Sequence, residues 1–161
     1  MSLKLLPVFH PLDQVFLARQ TRILCASYQH WTGLQLIEAV PDSPETVQLL
    51  FTAPFAVASH DTQPDPIFNY ANRQALQLFG MTWEEITHLP SRHSAEAGLQ
   101  EGRVKLLKRV ERNGFVDGYS GVRIAKDGKR FMIRNATVWN LLDEKGVYCG
   151  QAVRIGEWRA L

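Results

Sequence analysis

Apolar positions along this 161-residue chain repeat at helical spacing in its first two-thirds and at strand spacing in its last third. Over residues 12–33, Val15, Leu17, Ile23, Leu24, Tyr28 and Trp31 recur at mixed steps of three and four, and Gly33 is a stop. Residues 44–51 form a second, short helix with Ser43 as N-cap. Residues 55–60 are an apolar strand, closed by a turn-rich passage over 61–66, and residues 67–70 are a second strand. Asn72 through Phe79 places Ala75, Leu76 and Phe79 on one helical face, with Gly80 at the position where a left-handed residue costs little. Thr82 and Glu85 are spaced as a capping box for the next helix, which ends at Pro90-Ser91. A longer helix begins at Ser94 or Ala95, carries Leu99, Val104, Leu106, Leu107 and Val110, and stops at Asn113-Gly114.

From there the period is two. Residues 119–124 are a strand, 126–129 a hairpin turn, 130–142 a long strand, 143–146 a second turn, and 147–158 the final strand. Three sequential strands pair as an antiparallel meander, and the first two join their edges to make one five-stranded sheet. With the helices grouped on one side, the class is α+β. The polar, proline-bearing passage around Pro41–Ser43 is the expected boundary between an N-terminal helical extension (1–43) and the domain proper (44–161).

Composition adds bounds. At 45% hydrophobic and 21% charged, the chain is an ordinary globular one that needs no metal or disulfide staple. Net charge is +2, and the densest basic cluster, Arg103, Lys105, Lys108, Arg109 and Arg112, reads as the solvated face of an amphipathic helix and not as a nucleic-acid surface. Cys25 and Cys149 have no metal-ligand spacing, and no secretory leader or membrane-length apolar run occurs, so a reducing cytoplasm with free thiols is the expectation.

Several short segments resemble one family. Ala53-Pro54-Phe55 with Ser59-His60, then residues 65–70 with Asn72, then Leu89-Pro90-Ser91-Arg92, Tyr119-Ser120-Gly121-Val122-Arg123, and Thr137-Val138-Trp139-Asn140-Leu141 are together similar to the MEKHLA domain family. That group is PAS-related and occurs in bacterial stand-alone proteins and in plant transcription factors; the bacterial stand-alone type is the better match. The resemblance implies a PAS-like fold over about residues 44–158 and a sensory role, without fixing a ligand. It also implies which chemistries are missing. Light-driven flavin adducts and the photoactive-yellow-protein chromophore both require a cysteine in the middle of the domain, and none lies between Cys25 and Cys149. Haem stays open, because His88 and His93 fall in the region where haem-binding relatives place their ligand.

Ser59-His60-Asp61 is not a hydrolase triad, since neighbours on a strand point to opposite faces and cannot share a proton. His60 is instead a polar strand-end residue or a ligand contact. Of Asn69 and Asn72, one is expected to cap the following helix while the other, with Tyr70, reaches a ligand. Ser91, Arg92 and the hydroxyl of Ser94 suit an anionic group, unless Arg92 is held by Glu96 or Asp61. On the meander, Arg123 and Asn140 are polar candidates, and strict alternation puts Arg134, Ala136, Val138 and Asn140 on one face with Asn135, Thr137, Trp139 and Leu141 on the other. The four tryptophans are read as packing anchors.

The expectation is therefore a PAS-like sensory or ligand-binding module, working with a small molecule and as a homodimer, or with a partner protein through the N-terminal helix, whose apolar residues need cover. The alternative is a small enzyme in which His60, Arg92 and Tyr119 perform acid–base work on an anionic substrate.

Overall fold

A computed structural model describes residues 11–39, 43–95 and 100–161, leaving Leu99 and most of the expected boundary at Pro41–Ser43 outside the described residues. The longer helix expected from Ser94 or Ala95 does not begin there, because Ser94 lies in a 3-10 turn and Ala95 is extended. Helices α1 (Pro11–Thr32) and α2 (Pro44–Phe51) come first, followed by strands β1 (Ala56–His60) and β2 (Phe68–Ala71). Helices α3 (Arg73–Phe79) and α4 (Trp83–Ile86), a 3-10 turn at Ser91–Ser94 and helix α5 (Gln100–Asn113) lead to strands β3 (Phe115–Ile124), β4 (Arg130–Leu142), β5 (Tyr148–Ile155) and β6 (Glu157–Ala160). The sheet runs β2-β1-β5-β4-β3, every pair antiparallel, so the N-terminal hairpin joins the meander along the β1–β5 edge as expected.

The local signals hold where short-range chemistry sets them. Ser43 accepts from the Glu45 amide at α2, Thr82 and Glu85 close a reciprocal capping box at α4, and Gly80 sits at φ 67 after α3. The meander differs in two ways. The final strand is two strands: β6 continues the register of β5 along β4, pairing Met132 with Arg159 and Ile133 with Trp158. Asn135, at φ 51, interrupts the alternation of β4 at the same level. Strict alternation therefore fails there. Ile133 and Ala136 are both buried on one side, while Arg134, expected to share a face with Ala136, is exposed.

Both faces of the sheet are covered. On one, Leu17, Leu24 and Tyr28 of α1 pack with Leu50, Val57, Tyr70, Trp139 and Leu141, and Tyr28 meets Trp139 edge-on at 4.9 Å between centroids. The apolar side of α1 is thus covered by the chain's own sheet, which removes the reason given for a partner there; Val15 remains exposed. Directional bonds fix the register: Ser27 Oγ accepts from the Leu142 amide, and the Trp31 indole donates to the Asn140 carbonyl at 3.0 Å. On the other face α3, α4 and α5 cover Ala58, Phe68, Ile133, Val138 and Ile155.

Asn72 ties these parts together. Its Oδ1 accepts from the Val57 and Ala75 amides, and its Nδ2 donates to the Leu50 and Phe55 carbonyls, all between 2.9 and 3.1 Å. One fully buried side chain so joins the end of α2, the start of β1 and the first turn of α3. Replacing Asn72 by Ala leaves buried backbone groups without partners, and the expected loss of stability is about 3–5 kcal/mol. Urea unfolding checks this value, and a loss below about 1 kcal/mol would contradict the role given to Asn72.

Candidate functional site

The two covered faces divide the polar candidates. Ser59 points to α1, where its hydroxyl accepts from Gln20 at 3.0 Å and donates to Asn69 Oδ1 at 2.6 Å. Tyr70 lies on that same side, edge-on to Trp83 and fully buried, with burial raising its phenol and its hydroxyl left without a partner. Asn72 is spent on the α2–β1–α3 joint. Asn69 and Tyr70 therefore belong to the α1 face, and Asn72 to the frame.

The opposite face holds a half-open cavity of about 60 Å³. Phe68, Phe79, Ile133 and Ile155 wall one part, with Leu106, Leu107 and Val138 beside them. The polar groups are His60, Gln151, Ser94, Tyr119, Arg123 and Arg103. Of the residues singled out by sequence, His60, Ser94, Tyr119 and Arg123 line this space directly. Ser91 and Asn140 stand behind it, bonded respectively to Arg103 and Gln151.

Arg103 was hidden in the basic stretch of α5. It lies on the same side of the helix as Leu106 and Val110, three and seven positions on, which is the spacing that could have revealed it. Its Nη2 donates to Ser91 Oγ at 2.6 Å. Ser91 is held in turn: its amide donates to the Pro66 carbonyl, and its own carbonyl accepts from Ser94 Oγ. Burial, with the neighbouring Arg123 charge, pushes the Arg103 guanidinium down to about 10. The carboxylate acting on it, Asp65, is an exterior group bonded to Arg92 at 3.1 Å. Arg123 reaches the cavity through a bond from Nη2 to the Tyr119 hydroxyl at 3.0 Å. Tyr119 lies back over Gly121, where any side chain would meet its phenol oxygen at 2.4 Å.

His60 ends β1 opposite Gln151 of β5. Its Nδ1 lies 2.8 Å from the Asp61 carbonyl, which can only accept, so the proton of the neutral ring is on Nδ1 and Nε2 offers a lone pair. That Nε2 is buried and has no partner. Gln151 gives both amide hydrogens elsewhere, to the Leu107 carbonyl and to Asn140 Oδ1.

Arg92 does not join the cavity. In a 3-10 turn, positions three apart share a side, so Ser91 and Ser94 turn inward while Arg92 and His93 are exposed. Among the described residues Arg92 pairs with Asp65 and not with Asp61; Glu96, the other expected partner, lies outside the described residues. The trio of the enzyme alternative, His60, Arg92 and Tyr119, is consequently not brought together. His88 is exposed as well, so neither histidine considered for haem faces the cavity.

A sheet covered by helices on one face around a small cavity, with a further N-terminal helix on the other, defines a PAS-like domain. The MEKHLA domain profile matches residues 18–160, and the chain belongs to that family. No curated protein matches the chain. Solved structures similar to it include a light-oxygen-voltage domain studied with a flavin analogue, at 19% identity and TM-score 0.56, covering 73% of this chain and 84% of that one. A PAS domain of a protein from Colwellia psychrerythraea matches at 17% identity and TM-score 0.57, covering 73% and 94%. The light-state dimer of the fungal blue-light photoreceptor Vivid matches at 15% identity and TM-score 0.57, covering 98% and 100%. At these identities the likeness is one of fold.

The cysteines lie away from this cavity. Cys25 and Cys149 both pack against the α1-side core, with burial pushing Cys25 up to about 11. A cysteine–flavin adduct therefore has no thiol at the cavity to form on.

Burial lowers the pKa of His60 from the ordinary 6.5. Because the unfolded chain then takes the proton first, the stability contributed by neutral His60 is present above pH 6.5 and lost as pH falls from there through its folded value. The ring proton shifts of His60 are expected to titrate with a midpoint below 6.5, and His60→Gln to flatten the stability profile just below that pH. A midpoint above 6.5 refutes the assignment.

Proposed function

We propose that this MEKHLA domain is a sensory module whose cavity binds a small anionic molecule. The observation that carries this reading is Arg103, a buried guanidinium bonded to a neutral serine, in a cavity with a second guanidinium and no carboxylate among its described lining residues. An unpaired buried charge is costly, and folds retain one where a guest of opposite sign supplies the pairing. An arginine fork matches a carboxylate or phosphate in geometry, and the Tyr119 hydroxyl, which accepts from Arg123, still has its own hydrogen to donate.

The same proposal holds His60, Tyr119 and Arg123 as direct contacts, with Ser91 and Asn140 supporting them. It also keeps the bacterial stand-alone form, cytoplasmic residence, a division of the sequence near residue 43, and signalling through a homodimer or partner protein. The light-state dimer of Vivid supports the last of these alone.

Arg103→Met provides the test, because the reading demands opposite effects on binding and stability. Without its charge the anion-free protein is expected to gain about 1–4 kcal/mol of stability. Chemical-shift changes of the cavity residues on adding acetate or inorganic phosphate are expected in the native protein and to vanish in the variant. A native protein unaffected by any small anion, or a variant that binds as well, refutes the reading.

A further inference from the structure

We propose that the cavity takes a short 2-hydroxy monocarboxylate, with its carboxylate on Arg103 and its hydroxyl donating to His60 Nε2. This inference rests on the anion reading and specifies the guest. Two sets of groups lining the cavity make different demands. Around Arg103 and Arg123 the demand is for negative charge. At His60 it is for a donor: Nδ1–H is committed to the Asp61 carbonyl, buried Nε2 has no donor, and the neighbouring Gln151 side chain, its amide hydrogens given elsewhere, can turn only an acceptor toward the ring. The two sets are near enough that the Arg103 charge acts on the His60 ring.

The donor should be uncharged. An ammonium would enter a cavity that already holds two guanidiniums and, among the described lining residues, no carboxylate to pair with it. A hydroxyl meets the demand at no such cost. Size points the same way, since a cavity of about 60 Å³ favours a small acid such as glycolate or lactate over a larger one. The remaining wall, Phe68, Phe79, Ile133 and Ile155, is apolar and suits a methyl group better than a second charge. Inorganic phosphate would satisfy the guanidiniums but leave that wall facing charged oxygens.

Two-dimensional NMR titration of the full chain separates the outcomes, using glycolate, both enantiomers of lactate, propionate, methoxyacetate, alanine and inorganic phosphate as probes. Glycolate or one lactate is expected to bind roughly ten- to a hundredfold more tightly than propionate, which lacks the donor for a buried acceptor. Methoxyacetate keeps the oxygen but not its hydrogen, and is expected to behave like propionate. In His60→Phe the preference for hydroxy acids should disappear while carboxylate binding persists. Should that variant fail to fold, the comparison of glycolate with methoxyacetate on the native protein still decides. Propionate or methoxyacetate binding as tightly as the hydroxy acids would overturn the hydroxyl contact and leave the anion reading intact. Alanine or phosphate binding most tightly would overturn the guest class. Binding of none of the probes would overturn the anion reading as well.

Discussion

A sheet covered on both faces constrains everything else in this domain. All five residues of β1 are buried, so each side chain must satisfy either the α1 side or the cavity side, with no solvent-facing position to absorb a misfit. Ser59 and His60 show the consequence. Adjacent in sequence, they serve unrelated networks: Ser59 joins Gln20 and Asn69 under α1, and His60 faces Gln151 and the cavity. A one-residue slip of β1 against β5 would exchange these environments, placing the serine in the cavity and the imidazole under α1. Asn72 guards against the slip, because it clamps the Val57 amide by its side chain while its own amide donates to the Val57 carbonyl. That single joint sets the level at which His60 enters the cavity.

What could be read from sequence follows the range of the interaction involved. The capping box of Thr82 and Glu85 and the stop at Gly80 are decided within four residues and found in place, and the cap left open between Asn69 and Asn72 falls to Asn72. Hairpin pairing is nearly as local. The break of alternation at Asn135 was not legible, since nothing in the Asn-Ala-Thr sequence requires a positive φ, and the expected place of Arg134 fell with it. The same limit explains Arg92. Its neighbourhood was identified, but the direction of its side chain depends on the 3-10 turn, which sends Ser91 inward and Arg92 out to Asp65.

Arg103 is the more instructive case. Charge counting assigned the whole basic run of α5 to solvent, which suits Lys105, Lys108, Arg109 and Arg112, all exposed. Helical phase says otherwise for one member, because Arg103 shares the side of Leu106 and Val110. A cation in register with an apolar stripe is a local inconsistency of the kind that marks a functional position. Gln151 carried no comparable signal. A glutamine within a buried strand is visible only when Asn140 and Leu107 are known to stand around it.

The cavity, finally, is built where the sheet meets α5 and the 3-10 turn. Helix α5 meets the sheet partly through side chains that bond its backbone: Asn140 Nδ2 to the Val110 carbonyl at 3.1 Å, and Gln151 to the Leu107 carbonyl at 3.4 Å. Arg103 adds a third tie, from the helix to Ser91 of the 3-10 turn. That turn is itself anchored to the start of β2 through Pro66. A guest on Arg103 therefore acts on α5, the turn and β2 together. Any free energy it supplies by relieving the desolvated guanidinium favours the arrangement in which all three are docked. Under the proposed function, the buried charge of Arg103 would be the means by which occupancy is registered in the backbone.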